Sequence, residues 1–219
     1  MVNIAHISDI HIRGLSRHDE YRTVFAKFHA DCIENKIDDV FIGGDTWHTK
    51  TSGISPEYID LLSWFLKELA NICRVHIILG NHDLNLSNLS RQDSITPIVN
   101  ALNNPNIFLY KKSGVYEFRP GFNWCVFSLL DKENWDNVKP VPGKVNIACF
   151  HGSVRGALTE SNWEIEEGLK TSFFEDYDFV MLGDIHKKQF LDFRDVEIIV
   201  DEDELKNYPY CEILEEIHE

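Results

Sequence analysis

The chain has 219 residues, 43% hydrophobic and 26% charged, enough for one domain with its own core. A formal charge of −15 excludes nucleic-acid binding through a general basic surface, so a polyanion must be held by a local feature such as bound cations, or by another subunit. No apolar run approaches the roughly 20 residues that span a bilayer, no cationic stretch leads into an apolar one at the N-terminus, and the five cysteines are scattered; a cytoplasmic protein without membrane contact is expected.

Residues 2–7 read as a buried strand. Ser16-Arg17-His18-Asp19 has capping-box form, and residues 21–33 space apolar side chains helically. Residues 39–43 (DVFIG) read as a short strand. Ser55-Pro56 is an N-cap and N1 signal before a helix over 58–72, followed by a strand at 75–79 and a third helix over 94–102. Strands then recur at 107–110, 115–118, 124–129, 145–150, 179–182 and 196–200, with turn residues between several of them. A βαβαβ first half before a strand-rich second half predicts an α/β fold of two sheets packed face to face, with helices outside. Composition breaks once: residues 201–219 hold eight acids against Lys206, an acidic tail beyond a domain of residues 1–200.

Five strand ends carry the same kinds of residue. Ile4-Ala5-His6-Ile7-Ser8 runs into Asp9 and His11, and Val40-Phe41-Ile42-Gly43-Gly44 into Asp45. Residues 76–80 run into Asn81, His82 and Asp83, residues 147–150 into His151, and residues 179–183 into Asp184 and His186. Ligands of open α/β sheets gather at the carboxyl ends of strands, so these side chains can converge. Carboxylate, imidazole and amide donors without a thiolate suit Mn, Fe, Zn or Mg rather than a structural zinc. About eight donors exceed one ion with an open position and match two ions roughly 3.5–4 Å apart sharing a carboxylate. Such a pair of cations makes a water acidic near neutral pH, and the resulting hydroxide attacks phosphorus in line.

The ordered set Asp9-Ile10-His11, Gly44-Asp45, Gly80-Asn81-His82-Asp83, His151-Gly152 and Gly183-Asp184-Ile185-His186 resembles the calcineurin-like metallophosphoesterase family. Within it, Gly44-Asp45-Thr46-Trp47-His48 and Leu182 to Lys187 look most like SbcD-type DNA repair exonuclease/endonuclease subunits. The resemblance implies a four-layer α/β/β/α sandwich of two packed mixed β-sheets flanked by helices. It implies one metal on Asp9, His11, Asp45 and His186, and a second on Asp45, Asn81, His151 and Asp184, with Asp45 bridging. Mn²⁺ comes first, with Mg²⁺, Fe²⁺ or Zn²⁺ as alternatives. His82 is then no ligand but stands beside the scissile phosphate, Asp83 orients it or fixes its tautomer, and His48 contacts the nucleic-acid phosphate. DNA, an SMC-like ATPase subunit and a second copy of the chain are the implied partners.

Two features depart from the pattern. Asp184 stands where the family has histidine. After His186 the chain runs through Lys187-Lys188-Gln189-Phe190 into the acidic end, without the Gly-Ser segment and DNA-capping region of the nuclease group; Tyr208-Pro209-Tyr210 does not match. A shortened, phage-type or diverged form is implied. The alternatives are a protein phosphatase, a small- or cyclic-nucleotide phosphodiesterase, or a non-catalytic scaffold. Elsewhere, Lys111-Lys112 and Lys187-Lys188 read as solvated turn lysines, and the tryptophans as core or loop anchors, with Trp47 watched for its place between Asp45 and His48. Residues 135–143 and 152–168 read as rim loops; His6, His29 and His76 as structural; His18 and His218 as exposed.

Overall fold

The structure, a computed structural model, describes residues 2–48, 53–187 and 189. The chain divides into two compact units, Met1–Gly152 with Asp176–Asp184, and Ser153–Glu175 with Ile185–Glu219. The expected strand at 196–200, the acidic tail and His218 lie outside the described residues.

The first unit begins with alternating strands and helices: β1 (Ile4–Ile7), α1 (His18–Glu34), β2 (Asp39–Ile42), α2 (Pro56–Ile72), β3 (Arg74–Ile78), α3 (Thr96–Leu102) and β4 (Ile107–Tyr110). Parallel strands need long crossovers, and these helices supply them. The sheet runs β1-β2-β3-β4 and is parallel throughout. Strands taken in chain order all end on one edge, which brings together the residues after β1, β2 and β3. A second sheet holds β5 (Gly114–Arg119), β6 (Phe122–Phe127), β7 (Val145–His151) and β8 (Phe179–Gly183) in that order. Its β5-β6 hairpin is antiparallel and its other pairs are parallel, so this sheet is mixed. His151 pairs with Gly183, which aligns the ends of β7 and β8.

Apolar faces of both sheets make one core. Phe41 and Ile78 of the first sheet pack with Phe118, Trp124, Val126, Ile147 and Cys149 of the second. The Trp124 ring stacks on Phe118 with centroids 3.9 Å apart. Tyr21, Phe25 and Phe28 of α1 and Leu61, Phe65, Leu66 and Leu69 of α2 are also buried, Phe25 stacked on Phe65 at 4.0 Å.

Several local expectations change. The capping box at Ser16 does not form: Leu15–Arg17 is a 3-10 turn, and α1 starts at His18 without a side-chain cap. His18, expected exposed, is buried edge-on against Tyr58, with ring centroids 4.9 Å apart. Lys111, expected solvated, reaches Asp93 Oδ2 at 2.8 Å and Thr96 Oγ1 at 2.9 Å and fastens the start of α3. His76 is structural as expected: its Nε2 lies 3.0 Å from Asp39 Oδ1 and its Nδ1 2.8 Å from Tyr110 Oη.

In the second unit, residues 157–165 double back, with Ile165 N–H donating to Ala157 O at 2.7 Å and Thr159 N–H to Trp163 O at 2.9 Å. Gln189 joins the same unit to Leu158, donating to its carbonyl at 2.8 Å and accepting its N–H at 2.6 Å. Trp163, expected to be buried or to anchor a loop, is 75% exposed.

Candidate metal centre

The loop after β1 is laced to the loop after β2 by main-chain bonds: Asp9 N–H to Gly44 O at 3.1 Å, His11 N–H to Asp45 O at 3.0 Å and Ile12 N–H to Thr46 O at 2.9 Å. Tyr21 donates its hydroxyl to His11 O at 2.6 Å, a support that helical periodicity alone does not reveal. Asp9, His11, Asp45 and Asp184 all adopt left-handed backbone, with φ of 54°, 47°, 52° and 71°. L-residues there cost on the order of 1 kcal/mol each, and such strain persists where surrounding contacts over-determine it. Gly44, at φ 97°, has room for no side chain: a Cβ would stand 2.6 Å from Gly80 N and 2.7 Å from His151 Nδ1.

Asp45 is the centre of the arrangement. One donor atom each from Asp9, Asp45 and His151 lie within 4.8 Å of one another, and so do one each from His11, Asp45 and His82. Asp45 Oδ1 lies 3.3 Å from His151 Nε2 and accepts His82 N–H at 2.8 Å. Asp45 Oδ2 lies 3.8 Å from His11 Nε2, is buried, and has no hydrogen-bond partner among the described residues. Leaving a buried carboxylate oxygen unpaired costs several kcal/mol unless a cation compensates.

Three imidazoles are turned the same way. His11 Nδ1 lies 3.3 Å from Trp47 O, His151 Nδ1 2.7 Å from Gly43 O and His82 Nδ1 2.5 Å from His48 O. A carbonyl only accepts, so each Nδ1 carries a hydrogen and each Nε2 is the atom turned toward the carboxylates, the orientation found in metal-binding histidines. Burial lowers the His151 pKa, but Asp45 and Asp9 outweigh it and lift the ring to about 9. The carboxylates thus draw positive charge to the atom that faces them.

The remaining expected residues are placed as follows. Asn81 Oδ1 lies 2.9 Å from His151 Nε2. Asp184 N–H donates to both carboxylate oxygens of Asp9, at 3.0 and 3.1 Å. The His48 ring lies 5.7 Å from that of His11 and 6.3 Å from that of His82. His186 belongs to the second unit, where its Nδ1 is 3.3 Å from Glu160 Oε1, a neighbour no motif announces. Asp83 accepts N–H bonds from Thr46 at 3.1 Å and Gly80 at 3.0 Å and clasps the two loops, while the His48 carbonyl is the group that meets His82 Nδ1. Burial, then the charge of Asp45, pushes Asp83 up to about 7.

Oxygen and imidazole donors, an orphaned carboxylate oxygen and preset tautomers fit divalent ions. Such donor groups at strand ends of a two-sheet α/β frame define a metal-dependent hydrolase site. The model of the calcineurin-like phosphoesterase family matches residues 2–188, and the chain belongs to that family of metal-dependent phosphoester hydrolases. An uncharacterized protein of Acanthamoeba polyphaga mimivirus is 40% identical over 207 residues, covering 86% of this chain. The chain spans only 15% of that protein's length. Among solved structures, the nuclease MPE of Pseudomonas putida is similar with 15% identity and a TM-score of 0.40, over 74% of this chain and 67% of that one.

Proposed function

We propose that the chain is a two-metal phosphodiesterase whose substrate is DNA, an exo- or endonuclease subunit of DNA repair or recombination acting with an SMC-like ATPase. Asp9, His11 and Asp45 would hold one ion, and Asp45, Asn81, His151 and Asp184 the other, with Mn²⁺ the first choice. The observation that carries this reading is Asp45, one buried carboxylate common to two donor groups, with Oδ2 unpartnered. When bound, the ions supply an acidified water and neutralise charge on the phosphoryl oxygens.

The chain's own residues then position and protonate. His82 is partly exposed and held at Nδ1 by the His48 carbonyl, so its Nε2 is the atom that meets the leaving oxygen. Asp83 holds the loops of Asp45 and His82 in register. His48, three residues after Asp45, meets the nucleic-acid phosphate. Cations also answer the −15 charge, since they place positive potential only where the phosphate sits.

The test is Mn²⁺ with labelled linear double-stranded DNA, a chromogenic phosphodiester in parallel, and Asp45→Ala as control. DNA degradation lost in the control supports the nuclease reading. Cleavage of the small diester alone moves the substrate to a small nucleotide or another phosphoester. No Asp45-dependent hydrolysis of either sinks the phosphodiesterase reading.

A further inference from the structure

The loop that follows Asp83 is built from a repeat: residues 85–90 read Asn-Leu-Ser-Asn-Leu-Ser. The repeat in sequence is also a repeat in structure. Asn85 O accepts Asn88 N–H at 3.0 Å, and Asn88 O accepts Arg91 N–H at 3.1 Å, so each asparagine opens a four-residue turn. Each asparagine side chain also accepts the serine hydroxyl of its turn, Ser87 Oγ to Asn85 Oδ1 at 2.7 Å and Ser90 Oγ to Asn88 Oδ1 at 2.6 Å. The foot of the loop is closed by Ser94, whose N–H and hydroxyl both donate to Asp83 O at 3.1 Å. Each turn presents its leucine to solvent: Leu86 is 52% exposed and Leu89 47%, whereas Leu84 and Ile95 at the two ends of the loop are buried.

Charge and position say what covers these two side chains. Residues 84–92 hold Arg91 and no acid, in a chain of formal charge −15. Amide, hydroxyl and guanidinium groups surround the leucines, the set that meets a nucleic-acid backbone. Four residue steps lead from His82 to Leu86, and at about 3.3–3.6 Å each they reach no further than roughly 14 Å. Bases stack about 3.4 Å apart, so Leu86 falls within about four base steps of a phosphate held beside His82. Leucine is among the side chains that enter a base stack from a groove and part it. A double turn already fixed by its own hydrogen bonds loses little freedom in doing so.

We propose that the double turn of residues 85–90 is a wedge for duplex DNA, with Leu86 and Leu89 entering the base stack beside the cut. This rests on the nuclease reading. Parting the stack frees the strand to bend toward the metal centre. The wedge therefore acts on paired DNA and is idle where the end is already unpaired. Its leucines touch bases and neither the ions nor the reacting phosphate, so a small diester is cleaved without them.

The experiment compares the full chain, its Leu86→Ala/Leu89→Ala variant and its Leu86→Met/Leu89→Met variant, all with Mn²⁺. The substrates are a blunt duplex, the same strands with an unpaired end, and a chromogenic phosphodiester. Unstacking is read separately, by 2-aminopurine fluorescence in a duplex whose nearby linkages are phosphorothioates that slow cleavage. Circular dichroism checks folding, and light scattering gives the oligomeric state. The alanine variant should cleave the blunt duplex about tenfold more slowly, part of the cost of unstacking one step. It should match wild type on the unpaired end and on the small diester, and lose the fluorescence rise. The methionine variant, still apolar and of similar volume, should behave as wild type. Equal duplex rates and equal fluorescence in wild type and alanine variant would overturn the proposal. So would an equal loss on paired and unpaired ends, which would make the leucines a general grip. A wild-type dimer that the alanine variant breaks into monomers would place the leucines against a second copy and overturn it as well. Wild type that cleaves the small diester and neither DNA would sink the nuclease reading itself, a result visible without any variant.

Discussion

Gly80 stands just before the Asn81-His82-Asp83 turn, against Asp45. A Cβ there would lie 2.1 Å from Asp45 Oδ1, 2.4 Å from Asp45 N and 2.8 Å from Asp45 Cγ. Carbon contacts sit near 3.5–4.0 Å, so Asp45 and its backbone must retreat by more than about 1 Å. Gly80 is not among the residues with positive φ, so lost space, and not lost conformational freedom, is the whole effect. Overpacking of this kind costs about 1–3 kcal/mol, which lowers the melting temperature of a chain this long by roughly 2–12 °C. The displaced oxygen is the one that accepts His82 N–H and lies 3.3 Å from His151 Nε2. A shift of about 1 Å at a reacting centre costs on the order of 100-fold in rate. Gly80→Ala should therefore remain folded and hydrolyse a chromogenic phosphodiester with Mn²⁺ about 100-fold more slowly. Gly121→Ala is the comparison: φ is +83° with nothing within 4 Å, so it should lose about 1–2 kcal/mol of stability and no activity per folded molecule. A Gly80→Ala rate within about threefold of wild type would refute the idea that this contact sets the position of Asp45.

Four further outcomes follow from the same structure. Asp39 is fully buried and takes hydrogen bonds from His76, Arg74 and Arg119. Asp39→Asn should cost about 3 kcal/mol, the low end for a broken buried pair because both arginines reach solvent, and lower the melting temperature by roughly 6–12 °C. Burial pushes the Asp39 carboxyl up, but His76, Arg119 and Arg74 outweigh it and hold it below its usual value; burial also lowers His76. At these two residues the unfolded chain therefore takes up protons before the folded one, first at histidine below pH about 6.5 and then at aspartate below about 4. The Asp39 contribution, read as the melting-temperature difference between wild type and Asp39→Asn, should shrink as pH falls below about 4, and a difference unchanged from pH 7 to 3 would contradict this. Mn²⁺ at about 100 times its dissociation constant should stabilise the chain by about 2.7 kcal/mol, reversed by a chelator and absent in Asp45→Ala, as read by thermal melts. Asp93 accepts N–H bonds from Ile95 at 3.0 Å and Thr96 at 2.6 Å at the start of α3, so Asp93→Ala should cost about 1–2 kcal/mol in denaturant unfolding.

Sequence and structure divide the work unevenly. The strands and helices of the first half are legible because each is a short apolar run or a helical repeat bounded by Gly, Asn or Pro. Ser55-Pro56 marks the start of α2 to the residue. The box at Ser16 misleads because a 3-10 turn at Leu15–Arg17 takes the place of the cap. Lys111 and Asp93 are 18 positions apart and His76 and Asp39 are 37 apart, and no periodicity pairs residues across such distances.

For the site, the kinds of donor and their places at strand ends can be read from the chain, because a parallel sheet in sequence order puts every carboxyl end on one edge. Which atom of each donor faces which neighbour cannot. That Asp45 Oδ2 is left without a hydrogen bond among the described residues and that Asp83 reaches Thr46 are set by packing, and the carbonyls of Gly43, Trp47 and His48 that set three tautomers come from backbone positions 34 to 108 residues away. The sequence by itself determined the order of the elements and the chemistry of the donors, since both are local. Only the tertiary structure decided their orientation, because hydrogen bonds and close packing act between atoms that the chain brings together last.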